Sequence, residues 1–416
     1  MNRLKTFRFR LYPNHRQERK MLRMIDTSRR LWNDALAHRR RRWQENGEST
    51  PYNLQQWILT RERHSDPLLG ELYSQSAQDT LHRLAHAFEA FFARRAGYPK
   101  FKKFSQRGSF TYPQAYNGSV KLDTRRRRLF LSKVGNVPII LHRPITSGAR
   151  LKTCTVVREP SGRWFASLVF EEVIPLQDLI VPVSWSSSVG VDLGLKSLVT
   201  LSDGTKVEHP HYLRKSEKRL KHLNRNLSRK QMGSHNREKA RKRLAIEHSK
   251  VANQRKDHNH KLSTRLLADN KLVVFEDLRV SNMVLNQRLA KSIYDAGWAQ
   301  LVKFAEYKAK AAGGLVLRVP AAYSTQECWF CGELNQLSLD VRESECMGCC
   351  RWLDRDINAA RVVLKRGIAK VGQDMPELKP VETRPLLLQR TGEASLVKDA
   401  GSTRHEIGAG TSRPRS

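Results

Sequence analysis

The sequence predicts a multidomain α/β protein. Apolar and charged residues alternate over 6–11, and β-branched and aromatic runs return between residues 99 and 182, which is typical of strands. Between these regions, apolar residues recur at helical spacing over 16–45 and 74–95. After residue 188, short apolar strands alternate with long charged helical stretches. A chain of 416 residues is long enough for two or three domains with a sizeable core.

The first half of the chain predicts a β-rich domain with a helical insert. The strand over 6–11 ends at Tyr12-Pro13-Asn14, a turn sequence, and the other strands follow the helices. We therefore assign 1–15 and 98–183 to the β-rich domain and 16–97 to the helical insert.

The second half predicts a second α/β domain. It contains a strand ending at Asp192, a charged helical region over 214–261, and the apolar strand of KLVVFEDL, which we expect to be buried on both faces. We expect Asp295 to cap a helix over 296–312.

The domain boundaries in this half follow from composition and from the cysteine spacing. We assign 184–325 and 351–371 to the α/β domain and 326–350 to a cysteine-bearing insert. Residues 372–416, rich in Pro, Gly, Ser, Thr and Arg, predict a disordered tail.

The charge balance indicates a polyanionic partner. Lys and Arg number 76 against 40 Asp and Glu, which gives a formal net charge of +36. Such an excess is typical of proteins that bind nucleic acid or, less often, an anionic membrane surface. Because no apolar run approaches about 18 residues and no signal sequence is evident, we expect a cytoplasmic protein without a membrane partner.

Positive charge is concentrated in short arginine runs and in the helical region over 214–261, which holds 17 basic residues against four acidic ones. A helix that is merely solvated usually mixes its signs, so this region predicts a polyanion cradle. The residues expected to contact a nucleic-acid backbone are Arg39, Arg40, Arg125, Arg126, Lys218, Arg219, Arg225, Arg229 and Lys230.

Four cysteines predict a structural zinc site. They form two C-x-x-C pairs, Cys328/Cys331 and Cys346/Cys349, separated by residues 332–345. Four thiolates close a tetrahedral zinc site and leave no position for water, so such a site is structural. Cys350 stands where such a ribbon commonly has glycine. We expect it to be a bystander, and the alternative is that it substitutes as a ligand. The alternative to a zinc site is two redox or chance pairs.

Three carboxylates are candidates for a divalent-cation site. Asp192 and Glu276 each end a predicted strand, and Asp356 begins a predicted helix. Phosphodiester hydrolysis by two divalent ions needs carboxylates that converge from separate elements, with the ions about 4 Å apart. Carboxylate oxygens favour Mg²⁺ or Mn²⁺ over zinc. Taken singly, the three residues fit equally well as a hairpin residue, a strand-edge residue and a helix N-terminal acid.

Taken in order, these features resemble the ribonuclease-H-like fold of RuvC nucleases. GVDLGLKSLVTLSDG, FEDL, STQECWFCG with CMGCC, and DRDINAA together are similar to the signature of TnpB proteins. Those are RNA-guided DNA endonucleases encoded by insertion sequences and related to type V CRISPR effectors. FRFRLYPN and SRRLWNDAL also resemble the start of that family, and the resemblance covers about residues 1–370.

The resemblance implies roles for both sets of residues. Asp192, Glu276 and Asp356 would be the metal-binding catalytic triad of a RuvC-like domain, and the four cysteines would hold zinc in a small insert. The β-rich part would be a barrel-like wedge domain and the helical insert a recognition domain.

The resemblance also implies the partners and the reaction. A guide RNA from the transposon end would direct Mg²⁺-dependent cleavage of double-stranded DNA next to a short motif, with one chain per RNA, and would support transposon retention. Tyr52, Gln78 and Gln114 fall near positions that read this motif in relatives. Ordinary surface polarity is the alternative for these three.

Competing hypotheses concern the same scaffold. One is a nuclease-inactive RNA-guided repressor, which has no need for three converging acids. Others are an unguided RuvC-like nuclease or a transposase accessory protein. A transposase that cuts and rejoins DNA itself would use a nucleophilic tyrosine accompanied by a histidine pair of the H-x-H type. We expect no tyrosine of this sequence to have such a pair beside it.

Overall fold

The computed structural model describes residues 2–104, 108–173, 187–336, 338 and 341–373. Nearly all of the predicted disordered tail therefore lies outside the described residues; residues 372 and 373 belong to the last helix instead. Within these ranges, every helix is too short or too polar to cross a membrane.

A seven-stranded antiparallel sheet contains the first strand of the chain. Its strands are β1 (Asn2–Leu11), β2 (Gly108–Tyr112), β3 (Val120–Asp123), β4 (Arg128–Leu131), β5 (Gly135–Ile140), β6 (Arg150–Arg158) and β7 (Trp164–Val173), in the order β2-β6-β7-β1-β5-β4-β3. Phe7, Phe9 and Leu11 are buried, as their alternation predicts. The Tyr112 hydroxyl donates to the Ser132 carbonyl at 2.8 Å, so the two ends of the sheet curl toward each other.

Four helices lie between β1 and β2: α1 (His15–Asn46), α2 (Tyr52–Ser65), α3 (Pro67–Glu71) and α4 (Ser74–Phe92). Asn14 caps α1 by accepting from the Gln17 amide, and Gly47, with φ +66°, ends it. The apolar faces of α1 and α4 pack with the sheet in one core. The spacing predicted α1 and α4 to within a few residues but missed α2 and α3.

A five-stranded sheet lies in the second half of the chain. Its strands are β8 (Ser188–Asp192), β9 (Ser197–Leu201), β10 (Lys206–Glu208), β11 (Leu272–Glu276) and β12 (Leu315–Val319), in the order β10-β9-β8-β11-β12. Strand β11 is parallel to β8 and to β12, whereas β9 is antiparallel to both of its neighbours. Every residue of β8 and β11 is buried, which confirms the prediction for KLVVFEDL.

The described residues of this half form six helices: α5 (Tyr212–Ser228), α6 (His235–Ala268), α7 (Val280–Met283), α8 (Gln287–Ala296), α9 (Trp298–Ala311) and α10 (Arg355–Gln373). A two-stranded ribbon, β13 (Glu343–Glu345) and β14 (Trp352–Asp354), precedes α10.

The capping role predicted for Asp295 is wrong. Asp295 lies in the last turn of α8, and α9 begins only after Gly297, whose φ is +66°. Both Asp295 oxygens instead accept from the Leu213 amide, at 3.0 and 3.1 Å, in the first turn of α5. The residue caps a helix that is distant in sequence, and local pattern carries no signal for such a contact.

Helix α10 packs directly on the centre of the five-stranded sheet. A Cβ added to Gly190 would lie 2.0 Å from the Ala360 carbonyl oxygen, and one added to Gly367 would lie 2.3 Å from a methyl carbon of Val274. Side chains two residues apart on a strand share a face. Asp192, two beyond Gly190, and Glu276, two beyond Val274, therefore face the same side as α10.

Residues 1–369 form one compact unit that includes both sheets. The predicted strands and helices occur in the predicted order, whereas helices α2, α3, α7 and α8 were not predicted. The domain boundaries themselves stay predictions.

We expect Gly190→Ala to destabilise the protein by about 3 kcal/mol, because a Cβ there overlaps α10 backbone that cannot move independently. Gly70→Ala is the matched control, since nothing lies within 4 Å of its added Cβ and α3 favours alanine. Urea unfolding of both variants measures the difference. Equal stability of Gly190→Ala and wild type would contradict the packing described here.

Candidate metal centres

The structure brings Asp192, Glu276 and Asp356 to one edge of the five-stranded sheet. Asp192 is the last residue of β8 and Glu276 the last of β11, and the parallel register that pairs Val191 with Phe275 places them side by side. Asp356 enters from the first turn of α10. Burial, followed by the charges of Glu276 and Asp356, raises the pKa of Asp192 to about 8. Asp192 therefore lies within electrostatic reach of the other two carboxylates.

Glu276 is held by a buried serine. Ser324 Oγ donates to Glu276 Oε1 at 2.5 Å and is itself fully enclosed in the loop after β12. Burial raises the pKa of Glu276, and the Ser324 hydroxyl and Arg366 oppose that rise. Arg366 of α10 also donates to the carbonyls of Pro320 and Ala322, at 2.7 and 2.9 Å, so it anchors the loop that carries Ser324.

Asp356 is held by an arginine of the cysteine-bearing segment. Arg342 Nη1 donates to the two Asp356 oxygens at 2.9 and 3.2 Å. The Arg355 amide also donates to the Arg342 carbonyl at 2.8 Å, which joins this segment to the start of α10. Ser324, Arg342 and Arg366 were not predicted, because each acts through a contact distant in sequence and belongs to no motif.

Three nearby acids have other partners. Asp354 accepts from the amides of Asp356 and Ile357 and pairs with Lys206 at 2.6 Å, so it caps α10. Burial alone would raise the pKa of Asp354. The hydrogen bonds from the Lys206 ammonium and the α10 amides outweigh burial, so the pKa lies below its usual value. Asp203 accepts from the Thr205 amide in a turn, and Asp277 is exposed beside Arg318.

The carboxylate edge fits divalent cations. Asp192 and Glu276 are buried acids, and the charges of Glu276 and Asp356 both act on Asp192, an arrangement that is unfavourable unless protons or cations offset the charge. Within the described ranges, we find no hydrogen bond to the Asp192 carboxylate oxygens. Oxygen donors of this kind match the preference of Mg²⁺ and Mn²⁺.

The four predicted cysteines form a tight cluster. Their sulfur atoms all lie within 4.8 Å of one another, with 3.8 Å between Cys328 and Cys349 and 3.6 Å between Cys331 and Cys346. A tetrahedral zinc with bonds of about 2.3 Å has sulfur–sulfur edges of about 3.8 Å, so the spacing fits zinc and not disulfides. Asn335 Nδ2 donates to Cys346 Sγ at 3.5 Å as an outer contact.

Cys350 lies outside this cluster, as predicted. It is exposed and has φ +53°, a left-handed conformation that favours glycine. Its amide donates to the Cys346 carbonyl at 2.9 Å, so the tight turn forms in spite of the side chain.

The expectation that no H-x-H histidine pair lies beside a tyrosine is wrong. The sequence does contain an H-x-H pair, His209 and His211, directly before Tyr212, and it clusters with Asp295. The two imidazoles are stacked 4.1 Å apart and 11° from parallel, so one ion cannot lie in the plane of both rings. His209 Nδ1 accepts from the His211 amide at 3.0 Å, and both Asp295 oxygens accept from Leu213. These contacts shape the start of α5.

Most of the predicted backbone-contacting residues are exposed. Lys218, Arg219, Arg225, Arg229 and Lys230 lie on or just after α5, and Arg125 and Arg126 lie on the β3–β4 turn. Arg219 also pairs with buried Glu247 at 3.0 Å.

Of the two arginines predicted on α1, Arg40 is exposed and Arg39 is not. Arg39 donates to Gln55 at 2.7 Å and lies 4.9 Å from the Phe88 ring centroid, so it packs inside the helical bundle. Burial lowers its pKa.

Tyr52, Gln78 and Gln114 lie along one face of α4. Gln75 donates to Gln114 at 2.8 Å, and the Tyr52 ring meets His82 edge-on at 5.5 Å. Positions 75, 78 and 82 are spaced i, i+3 and i+7, which is one helix face. The structure thus aligns three residues that are far apart in sequence.

Comparisons with known proteins place several segments in families. Residues 180–287 match the family OrfB_IS605, described as "Probable transposase", and 298–363 match the Cas12f1-like TNB domain. Residues 1–48 match a helix-turn-helix domain of the same OrfB_IS605 group. In the structure, residues 2–46 form one strand and one long helix.

Two relatives that are named as RNA-guided DNA endonucleases align with nearly the whole chain. A "Putative RNA-guided DNA endonuclease" of Streptomyces pristinaespiralis is 37% identical over 372 residues, covering 88% of this chain and 90% of that protein. "Putative RNA-guided DNA endonuclease InsQ" of Escherichia coli (strain K12) is 33% identical over 406 residues, covering 92% and 98%. The chain belongs to the TnpB family of RNA-guided endonucleases encoded by insertion sequences.

A solved structure shares the TnpB-family fold of this chain. The protein of a Cas12f1–sgRNA–target DNA complex aligns with a TM-score of 0.55 and 13% identity, over 87% of this chain and 98% of that one. This likeness concerns the fold alone, and it agrees with the α/β architecture that the sequence predicts.

We expect Asp192→Asn to stabilise the metal-free protein at pH 7.5 by about 5 kcal/mol, which is about 1.4 kcal/mol for each pH unit between the unfolded pKa and pH 7.5. The folded pKa of Asp192, about 8, lies above its unfolded value, so the folded carboxyl binds a proton that the unfolded chain releases. Wild-type stability from this group is full at low pH and falls between about pH 4 and 8, whereas asparagine has no such dependence.

Thermal unfolding against pH, without added divalent metal, tests this expectation. Asp277→Asn, an exposed neighbour of the site, is the control and should unfold like wild type. Added Mg²⁺ should stabilise wild type more than Asp192→Asn. A pH dependence that Asp192→Asn leaves unchanged would show that another group titrates.

We expect Cys350→Gly to stabilise the protein by about 1 kcal/mol, since glycine adopts the left-handed conformation without the Cβ clash. It should retain bound zinc, whereas Cys349→Ser should lose it. Zinc content per chain and the unfolding midpoint are the measurements. Zinc loss in Cys350→Gly would mean that Cys350 is a ligand.

Proposed function

We propose that the protein is an RNA-guided, Mg²⁺-dependent endonuclease that cuts double-stranded DNA complementary to a transposon-derived guide RNA, next to a short DNA motif, and so supports transposon retention. The observation that carries this proposal is the convergence of Asp192, Glu276 and Asp356 from three elements. Family membership supports the guide and the DNA target, since two relatives carry names of RNA-guided DNA endonucleases.

In this proposal, Asp192, Glu276 and Asp356 hold two divalent ions. Such ions supply an activated water and stabilise the leaving oxygen of the phosphodiester. The five-stranded sheet, with β8 next to β11 and α10 across them, would be a ribonuclease-H-like core.

The side chains of this protein prepare that site. Ser324 fixes the direction of one Glu276 oxygen, and the Arg366 anchor keeps the Ser324 loop in place. Asp192 must release its proton before it binds a cation, since its pKa is about 8. Arg342 orients the Asp356 carboxylate, which would be one of the ligands of a bound cation.

The remaining parts bind and position nucleic acid. The exposed cations of α5 and of the β3–β4 turn would follow the phosphate backbone, so affinity should fall steeply with salt. The curled sheet would be the wedge domain, and helices α1–α4 the recognition insert. Base pairing with the guide would select the sequence.

The face of α4 next to Tyr52 and Gln114 would read the adjacent DNA motif. A glutamine amide pairs in two places with adenine in the major groove, and Gln78 lies between the Tyr52 and Gln114 contacts on this face. The major groove of a DNA duplex is wide enough to admit an α-helix such as α4.

The test begins with the protein expressed together with its native flanking DNA. We expect one defined RNA, ending in sequence that flanks the gene, to copurify with it. A random mixture of cellular RNA would contradict guidance and favour an unguided nuclease.

Cleavage of a plasmid carrying the matching target then tests the site. We expect Glu276→Ala and Asp192→Ala to lower the cleavage rate by at least about 10³-fold, since each removes a ligand of the reacting centre. Asp277→Ala, next to Glu276 but exposed, should cleave like wild type. DNA binding without cleavage by the wild type would favour the repressor, and equal cleavage by all variants would exclude this site.

A further inference from the structure

The segment that follows α4 exposes several aromatic side chains. Phe92 is 75% exposed, Tyr98 45%, Phe101 48% and Phe104 76%. Single exposed apolar residues are ordinary on protein surfaces, but here four exposed aromatic side chains lie within 13 residues of sequence. We call residues 91–104 the aromatic–basic segment.

The aromatic–basic segment is fixed on the helical bundle. Tyr98 meets the rings of Phe88 and Phe91 edge-on, at 5.5 and 5.4 Å. Asn33 of α1 donates to the Lys102 carbonyl at 3.0 Å and accepts from its amide at 2.8 Å. In addition, Trp32 Nε1 of α1 donates to the Lys100 carbonyl at 3.1 Å. The exposed rings therefore stand on a backbone that is held at several points.

The same segment is strongly cationic. It contains no acidic residue, and it carries Arg94, Arg95, Lys100, Lys102 and Lys103. Desolvation beside Trp32 and the charge of Arg83 lower the pKa of Lys102 to about 8, and its ammonium lies 3.5 Å from the Trp32 ring centroid. Arg94, Arg95, Lys100 and Lys103 are exposed.

Flat aromatic faces beside cations suit unpaired nucleotides. Cations attract phosphates of any nucleic acid, but aromatic side chains gain from stacking only where base faces are free. A duplex hides those faces, and an apolar protein partner would not require five cations within 14 residues.

We propose that the aromatic–basic segment is a stacking platform for unpaired nucleotides. The proposal rests on the proposed function, in which two sources supply such nucleotides: unpaired parts of the guide RNA and the displaced DNA strand. The rings of Phe92 and Phe104 stack on bases, while Arg94 and Arg95 contact the phosphates between them.

The test measures binding of short labelled oligonucleotides to the full chain, freed of nucleic acid in high salt, by fluorescence anisotropy. The probes are oligouridine RNA, oligothymidine DNA and abasic DNA of equal length. We expect a Phe92→Leu/Phe104→Leu double variant to bind base-bearing probes about tenfold or more weakly and the abasic probe unchanged. Loss confined to RNA assigns the platform to the guide, and loss confined to DNA assigns it to the displaced strand.

Two further variants keep the result interpretable. Tyr294→Leu removes a ring that is 61% exposed on α8, outside the segment, and should bind every probe like wild type. Arg94→Gln/Arg95→Gln should weaken all three probes, including the abasic one, and reduce the salt dependence. Unchanged zinc content and unfolding midpoint show that the variants fold.

Two outcomes would overturn the platform. They are wild-type affinity of the double phenylalanine variant for both base-bearing probes, and equal loss on abasic and base-bearing probes. Cleavage is not used as the readout, so failure here is distinguishable from failure of the carboxylate site, which the Asp192→Ala assay tests by itself.

Discussion

The contact between α10 and the centre of the five-stranded sheet determines where the candidate site lies. Two glycines, Gly190 in β8 and Gly367 in α10, remove the side chains that would keep the two elements apart. The parallel pairing of β8 and β11 then sets Asp192 beside Glu276, and the first turn of α10 adds Asp356. Arg366, Ser324 and Arg342 of the cysteine-bearing segment all act on an arrangement that this packing creates.

Electrostatic cost is the second consequence of that packing. Asp192 and Glu276 are buried near a third acid, and their pKa values rise. Buried acids of like charge oppose folding in the absence of metal. Functional sites often lower the stability of a protein in this way. Arg342, in the cysteine-bearing segment, and Arg366, in α10, reduce this cost.

Much of the site could be predicted because its residues end regular elements. Asp192 and Glu276 follow apolar strands, Asp356 begins a helix, and the cysteines have the spacing of a ribbon, so local pattern places each one. Ser324, Arg342 and Arg366 could not be predicted, because their contacts depend on how loops return to the sheet. Asp295 shows the same limit: its sequence position suggested a local cap, whereas its partner, Leu213, is 82 residues away.

We propose that the Asp192 carboxyl, whose pKa burial raises to about 8, gives up a proton when it binds a divalent cation. Titration calorimetry of Mn²⁺ binding at pH 7, in two buffers with different ionisation enthalpies, measures the protons released per chain. A pKa of about 8 predicts release of close to one proton from wild type and none from Asp192→Asn. Binding without proton release, or the same release from both proteins, would contradict the account.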